Sequence, residues 1–426
     1  MIIMVCSTFN AASIEGGLGA AAYSYWFVRR AFWPALERFG IVVPVTDPGR
    51  EVDTVRRTAM ENGQECVFLS FEPPHKTALG LKCRTIPVFA WEFDAIPDEP
   101  FDDEPRHDWQ TVLSDAGSAI THSSFSVAAV RRRMGADYKV WSIPAPVYDS
   151  NVVYAAEARG DHPPTDISIS GIAIDAGVAD LDVFSMHRAH ADGIESLRAL
   201  DHFLQTEKPA PQKLRVAGVV YTAIFNPVDG RKNFTDLLGS FIWAFRETPD
   251  ATLILKVTHH DPVRGLLPVL GDVAKFGRFA CRVLIIHGML PDDEYRALVR
   301  LTSYTVNAST NEGQCLPLME FMSGGRPAIA PCHTAVLDYI TPENSFVVHS
   351  TERPTCWPHD PRAAIRTHRH VVSVASMISA YRESYDVAKN DPGRYAAMSQ
   401  AASRSLQAFC SNEVVGQRLS EALGRK

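Results

Sequence analysis

The sequence predicts an α/β protein in which two doubly wound parallel sheets face each other across a cleft. Short apolar runs broken by Gly and Pro recur through both halves of the 426 residues, as buried parallel strands require. Segments of helical length lie between them, the rhythm of βαβ units. Between the two series sits Asp149–Gln212, which carries Pro163-Pro164 and much Ala, Asp and Ser but no strand rhythm.

In the first series Met1–Ser7 is the opening strand. A glycine-bearing loop follows, then a helix within Ala20–Phe39 that sets Tyr23, Phe27 and Ala31 on one stripe. Further strands are expected at Ile41–Val45, Glu65–Phe71, Ile86–Trp91, Ser118–His122 and Lys139–Ile143. The second series offers strands at Leu214–Phe225, Ala251–Val257, Arg282–His287, Tyr304–Ala308, Pro327–Ala330 and Ser345–Val348. Its helices are expected at Phe234–Arg246, Asp292–Leu301, Leu316–Ser323 and Ala335–Ile340, with one or more from Val371 onward. The domain plan is therefore 1–150, an interdomain segment or insertion at 151–212, a second α/β domain at 213–394, and a tail at 395–426.

The net charge of -7 and a pI near 6.1 argue against a nucleic-acid partner. Mean hydropathy is -0.07, and no apolar run reaches the roughly 18 residues of a spanning helix. MIIMVCSTFN lacks a basic start and a cleavage site, so it reads as a strand and not as a signal peptide. Eight Cys without a C-x-x-C pair read as free thiols, and the expected compartment is the cytoplasm. No metal is expected: H-E-x-x-H is absent, and His259-His260-Asp261 and His368–His370 are ambiguous.

Five constellations carry chemistry. In Asn311-Glu312-Gly313-Gln314-Cys315-Leu316-Pro317-Leu318-Met319-Glu320 a loop with an acid and a glycine runs into a helix with Pro317 near its start. Free N–H groups and the helix dipole make an anion site there, and the two Glu suit hydroxyls. A capped helix with solvated acids fits the spacing as well. Asn226-Pro227-Val228-Asp229-Gly230-Arg231-Lys232-Asn233 puts Arg and Lys at a strand-to-helix turn, where a diphosphate or plain solvent would suit them. Glu15-Gly16-Gly17-Leu18-Gly19 allows close backbone approach to phosphate, or makes a structural turn. A dinucleotide fingerprint fits poorly, because the spacing is G-G-x-G and stands some way past the strand. Trp91-Glu92-Phe93-Asp94 follows a strand, so Glu92 or Asp94 could bind donor or acceptor hydroxyls, while Asp94 could equally cap a helix and Trp91 fill core. Thr121-His122-Ser123-Ser124 reads mainly as a helix cap, with His122 within reach of the cleft. Arg131-Arg132-Arg133, and Trp26, Phe27, Phe32 and Trp33 beside Arg29 and Arg30, hint at peripheral membrane contact at the inner face of the membrane.

The stretch Val283–Ile340 resembles the donor domain of retaining glycosyltransferases with the GT-B fold, specifically family 4 (group 1), of the polysaccharide-assembly type. Its E-G-x-x-L-P-x-x-E is matched by Glu312, Gly313, Leu316, Pro317 and Glu320. HGMLPDDEYRALVRLTSY is similar to the strand, glycine, turn and helix that touch the nucleobase, which implicates Gly288. FMSGGRPAIAPCHTAVLDYI looks like the continuation. The resemblance implies that Glu312 holds donor-sugar hydroxyls, Glu320 the ribose, and the amides around Gly313, Gln314, Cys315 and Leu316 the phosphates. It places Gly16 and Gly17 under those phosphates. Lys232 would stabilise the departing diphosphate with Arg231, although the family's Arg usually stands several residues before the Lys. Many members carry a His where this chain has Trp91–Asp94, and W-E-F-D is a familiar variant.

The implied activity is metal-independent and cofactor-free transfer of a hexose from a nucleotide-diphosphate sugar, GDP-mannose or UDP-glucose in type. The acceptor would be a glycan or lipid-linked molecule in bacterial surface polysaccharide synthesis, and the tail at 395–426 would cross back to the first domain. The alternatives are a non-catalytic sugar-nucleotide or glycan-binding homologue, or a GT-B-type epimerase. The sequence carries no signal for an oligomeric state.

Overall fold

The computed structural model describes residues 1–100, 104–181, 184, 200–201 and 212–425. Its first sheet contains β1 (Ile2–Cys6), β2 (Ile41–Pro44), β3 (Cys66–Phe71), β4 (Thr85–Phe89), β5 (Ser118–Thr121) and β6 (Lys139–Ser142). All are parallel, in the order β2-β1-β3-β4-β5-β6. Strands such as β3, CVFLSF, are buried on both faces, which is why they read as unbroken apolar runs. Local chemistry sets the crossovers. Asp108 and Ser123 accept backbone N–H bonds at two helix starts, and Gly117 at φ 68 ends the helix Trp109–Ala116.

The second domain adds β7 (His162–Ile169), β8 (Ile172–Asp175), β9 (Gln212–Phe225), β10 (Ala251–Val257), β11 (Arg282–His287), β12 (Tyr304–Val306), β13 (Ala328–Pro331) and β14 (Ser345–Val348). The order is β14-β13-β12-β9-β10-β11-β8, with β7 on β9. The six strands from β9 to β14 are parallel and wind outward from β9 in two directions. The winding reverses between β9 and β12, so the crevice beyond their carboxyl ends is where such a sheet binds ligands.

Several expectations are corrected. The segment 151–212 is not without strands: β7 and β8 pair antiparallel with β9 and β11. The prolines hid β7. They lack N–H donors and fall at its irregularity between His162 and Thr165. The remainder of that segment lies outside the described residues. A helix at Pro262–Ala274, with Pro268 inside it, was masked by its prolines. A polar hairpin, β15 (Ser350–Cys356) with β16 (Arg366–Val372), follows β14 where no strand was expected. In place of a helix at Ala335–Ile340 there is a single 3-10 turn, Thr334–Asp338.

The tail from Tyr395 is two helices, Pro392–Cys410 and Asn412–Leu423, parted at Ser411, whose hydroxyl accepts from the Val414 N–H. The last helix is bound to the first domain. Arg38 donates to the Asn412 carbonyl, Arg418 to that of Ser142, and Arg84 to those of Ala422 and Leu423. One apolar cluster runs without a break from Ile3 and Phe89 through Trp91 and Trp357 to Met319, Tyr339 and Phe409, joining both domains and the tail. Each such side chain contributes about 1.5–3 kcal/mol when fully buried.

Trp26 and Phe32 are buried, while Arg132 and Arg133 form ion pairs with Asp94 and Asp98. Among the described residues no helix is long and apolar enough to cross a membrane, and the eight cysteines are free.

Candidate functional site

The loop after β9 and the loop after β12 meet at the reversal point. Lys232 Nζ lies 2.6 Å from Glu312 Oε1, across 80 residues of chain. Asn307 Nδ2 and Ser309 Oγ donate to the same oxygen at 3.0 and 2.7 Å. The Glu312 N–H donates to Thr334 Oγ1 at 3.0 Å, so the loop after β13 fixes the backbone of this residue while the loops after β9 and β12 hold its carboxylate. Burial alone would raise its pKa. The Lys232 ammonium, the Arg231 guanidinium and the hydrogen bonds outweigh burial and hold it down to about 2. Burial opposes the charge on Lys232 too, but Glu312 prevails and raises its pKa. The result is a fixed carboxylate beside a fixed ammonium at the edge of the sheet.

The backbone here is held in unusual conformations. Asn233, Cys315 and Thr334 adopt φ of 48°, 64° and 49°, the left-handed region that non-glycine residues seldom occupy. All three flank the Lys232–Glu312 pair, and Thr334 is β-branched, the type that pays most there. Such strain persists where surrounding contacts over-determine a site. Cys315 caps the helix Leu316–Ser323, and Asn307 Nδ2 lies 3.2 Å from its Sγ. Burial, with Glu312 close by, pushes that thiol up to about 12. The helix start at Leu316, with Pro317 in its first turn, opens beside the pair.

Glu320 stands one turn into the same helix and accepts from Tyr295 Oη at 2.5 Å. Burial pushes its pKa up to about 7, although the Tyr295 hydrogen bond and Arg30 oppose this. Gly288, at φ 106, ends β11 with open space where a side chain would stand. Gly16 is exposed with open space above it, while Gly17 packs on Phe9. The rest of that glycine loop rests on the second domain. Leu18 O accepts from the His260 N–H at 2.9 Å, and Gly19 O accepts from Asn226 Nδ2 at 3.0 Å.

The two domains touch at the site. Arg231 donates to Asn311 O at 2.8 Å and to Asp229 at 2.7 Å, and pairs with Glu92 of the first domain at 3.3 Å. Glu92, a sugar candidate by sequence, is thus engaged with Arg231. Asp94 is engaged with the hairpin: its Oδ1 accepts from Thr367 Oγ1 at 2.7 Å and the His368 N–H at 3.0 Å, and its Oδ2 lies 3.0 Å from His368 Nδ1. Both acids bridge the domains in place of lining open space.

Gly313 lies against the Ala90–Trp91 backbone, where an added Cβ would stand 3.0 Å from Trp91 N. Gln314 Oε1 accepts from the Ala145 N–H at 2.6 Å, another contact across the seam. His122 is not at the cleft. It is fully buried beside Phe32, its Nδ1 lies 2.8 Å from Ile143 O, and burial lowers its pKa to about 4.

Sequence reasoning missed Asn307, Ser309, Thr334 and Tyr295. Asn307 and Ser309 stand in TVNAS at a strand's carboxyl end, a readable position; nothing local marks Thr334 or Tyr295. Among the described residues no group of three or more His, Cys, Asp or Glu is arranged to hold a metal.

No protein-family model and no curated protein matches the sequence. Solved structures match in fold. Sucrose-phosphate synthase from Thermosynechococcus elongatus aligns over 100% of this chain and 98% of its own, at 14% identity and a TM-score of 0.55. HepE of Anabaena, in complex with UDP-glucose, aligns over 100% of this chain and 99% of its own, at 15% identity and a TM-score of 0.50. With TarM of S. aureus the match covers 84% of this chain at 10% identity and a TM-score of 0.48, and the chain spans only 55% of that neighbour's length. The two sheets, their strand orders and these full-length likenesses show a GT-B fold, the architecture of GT-B glycosyltransferases.

Proposed function

We propose that this protein is a retaining GT-B glycosyltransferase, similar to family 4, that moves a hexose from a nucleotide-diphosphate sugar to a glycan or lipid-linked acceptor. The observation that carries the reading is the Lys232–Glu312 pair at the reversal point of the second sheet, closed over by the first domain. As the anomeric C–O bond breaks, its electron pair leaves with the diphosphate. The Lys232 ammonium and the amide end of helix Leu316–Ser323 stabilise that charge, so no metal is required. Glu312 orients hydroxyls of the donor sugar, and Glu320 accepts from the ribose. The acceptor oxygen attacks the same face, its proton passes to the leaving phosphate oxygen, and no protein nucleophile takes part.

Arg231 is a positioning residue in this reading, because its guanidinium holds the Asn311–Glu312 turn to Glu92 and Asp229. HepE, which has this fold, is bound to UDP-glucose, and this makes UDP-glucose the first donor to try and GDP-mannose the second. A role in surface polysaccharide assembly at the cytoplasmic side of a membrane belongs to the same reading. A thermal-shift screen of UDP, GDP and ADP with their sugars tests it. One nucleotide should stabilise the protein by about 2.7 kcal/mol at a hundred times its Kd. Failure of all three to raise Tm would overturn the proposal. Conversion of a donor sugar to its epimer without nucleotide release would replace transferase with epimerase.

A further inference from the structure

Lys256, the penultimate residue of β10, is left unused by the transfer mechanism. It is 6% exposed in a strand buried along its whole length. Its register sets it between Ile224 of β9 and Ile286 of β11. Strand alternation puts it on the face of Ile254, within the apolar cluster that includes Ile286, Leu290 and Leu298. A Val or Ile would suit such a place. Its one hydrogen bond among the described residues goes to Thr258 Oγ1 at 3.2 Å, and no described carboxylate lies within ion-pair distance. Burial brings its pKa down to about 8. A buried ammonium without a counter-charge destabilises the free protein, and groups of that kind concentrate at functional sites.

The position singles this lysine out further. β10 flanks β9 on the side opposite β12, so Lys256 stands near the carboxyl end of the strand next to the one whose loop carries Lys232. The glycine loop of the first domain roofs this edge. It binds Asn226 and His260, and Gly19 leaves no room for a Cβ, which would meet the His259 ring at 2.5 Å. The loop meets this edge through the Leu18 and Gly19 carbonyls, and the buried Lys256 ammonium at the same edge lacks the counter-charge that an anion would supply.

We propose that Lys256 is a second cation of the donor site, one that receives an oxygen of the nucleotide's diphosphate. The inference rests on the reading that this site binds a nucleoside diphosphate. Calorimetry on the full-length protein tests it, with UDP and uridine as probes, or the diphosphate and nucleoside that the thermal screen selects. Lys256→Met keeps the volume and removes the charge. It should weaken diphosphate binding about 10- to 150-fold, the value of one charge-assisted hydrogen bond. Nucleoside affinity should be unchanged, the ligand-free Tm equal or higher, and Lys256→Arg should restore part of the loss. Undiminished diphosphate affinity in Lys256→Met overturns the proposal, as does an equal loss for the nucleoside. Should the methionine variant fail to fold, Lys256→Gln serves the same comparison. A wild-type protein that binds no nucleoside diphosphate overturns the donor-site reading itself, a different result from a wild type that binds and a variant that binds as well.

Discussion

At the residue scale the site turns on where charge is fixed. Glu312 receives three donors on one oxygen, whereas the half-buried Glu320, eight positions on, packs against Tyr295 and has its pKa pushed up to about 7. The sign of the Glu320 effect is definite. Its folded pKa lies above the unfolded value of 4.5, so between about 4.5 and 7 the unfolded chain binds fewer protons than the folded one. This group therefore removes stability as pH rises through that window and adds nothing further above it. Glu320→Gln should flatten the fall in ligand-free Tm over that range. If Glu320 accepts ribose hydroxyls as a carboxylate, nucleotide affinity of the wild type should rise between pH 6 and 8, and that rise should vanish in Glu320→Gln. A pH-independent difference between the two proteins in calorimetry would remove the ribose assignment. The family resemblance marks Lys232, Glu312 and Glu320, which spacing alone leaves open. It cannot show that Glu92 and Asp94 are spent on Arg231 and the hairpin, because those partners come from distant segments and only the closed fold joins them.

At the scale of elements, legibility followed burial. Strands buried on both faces, β1, β3, β10 and β11 among them, show as apolar runs and were placed within a residue or two. β7, β15 and β16 are largely polar and exposed, with prolines in β7 and β15, so neither periodicity nor propensity exposes them. The hairpin they hide has a role in the architecture. Trp357, just beyond β15, packs 5.7 Å from Trp91, and Asp94 clamps β16, so the turn 91–94 is drawn onto the loop that carries Glu312. Gly313 completes the fit. In Gly313→Ala the new methyl would press on the Trp91 backbone at 3.0 Å and on the Ala90 Cβ at 3.1 Å. Backbone gives way poorly, so the seam should open. The expected outcome is nucleotide affinity within about threefold of wild type and turnover lowered at least tenfold, a kcat effect of closure. Equal turnover in the two proteins would show that the Gly313 contact is not needed for the active arrangement.

At the scale of the whole molecule, two doubly wound sheets meet with their carboxyl edges together, held by a continuous core and by a tail helix that belongs in sequence to the second domain and in space to the first. Closure brings the glycine loop, Glu92 and Asp94 onto the second sheet, and it covers the Lys232–Glu312 pair. A donor would reach that pair when the lobes part, and the ion pairs of the seam would re-form over it. The decisive comparison is turnover of a bound nucleotide sugar by the wild-type protein and by Lys232→Ala, each shown by circular dichroism to be folded. Loss of the ammonium should lower kcat by roughly 100- to 1,000-fold, the usual effect of removing one group that stabilises developing negative charge, with a much smaller change in nucleotide Kd. A Lys232→Ala protein that releases nucleotide at the wild-type rate would contradict the placement of the leaving diphosphate at the meeting of β9 and β12.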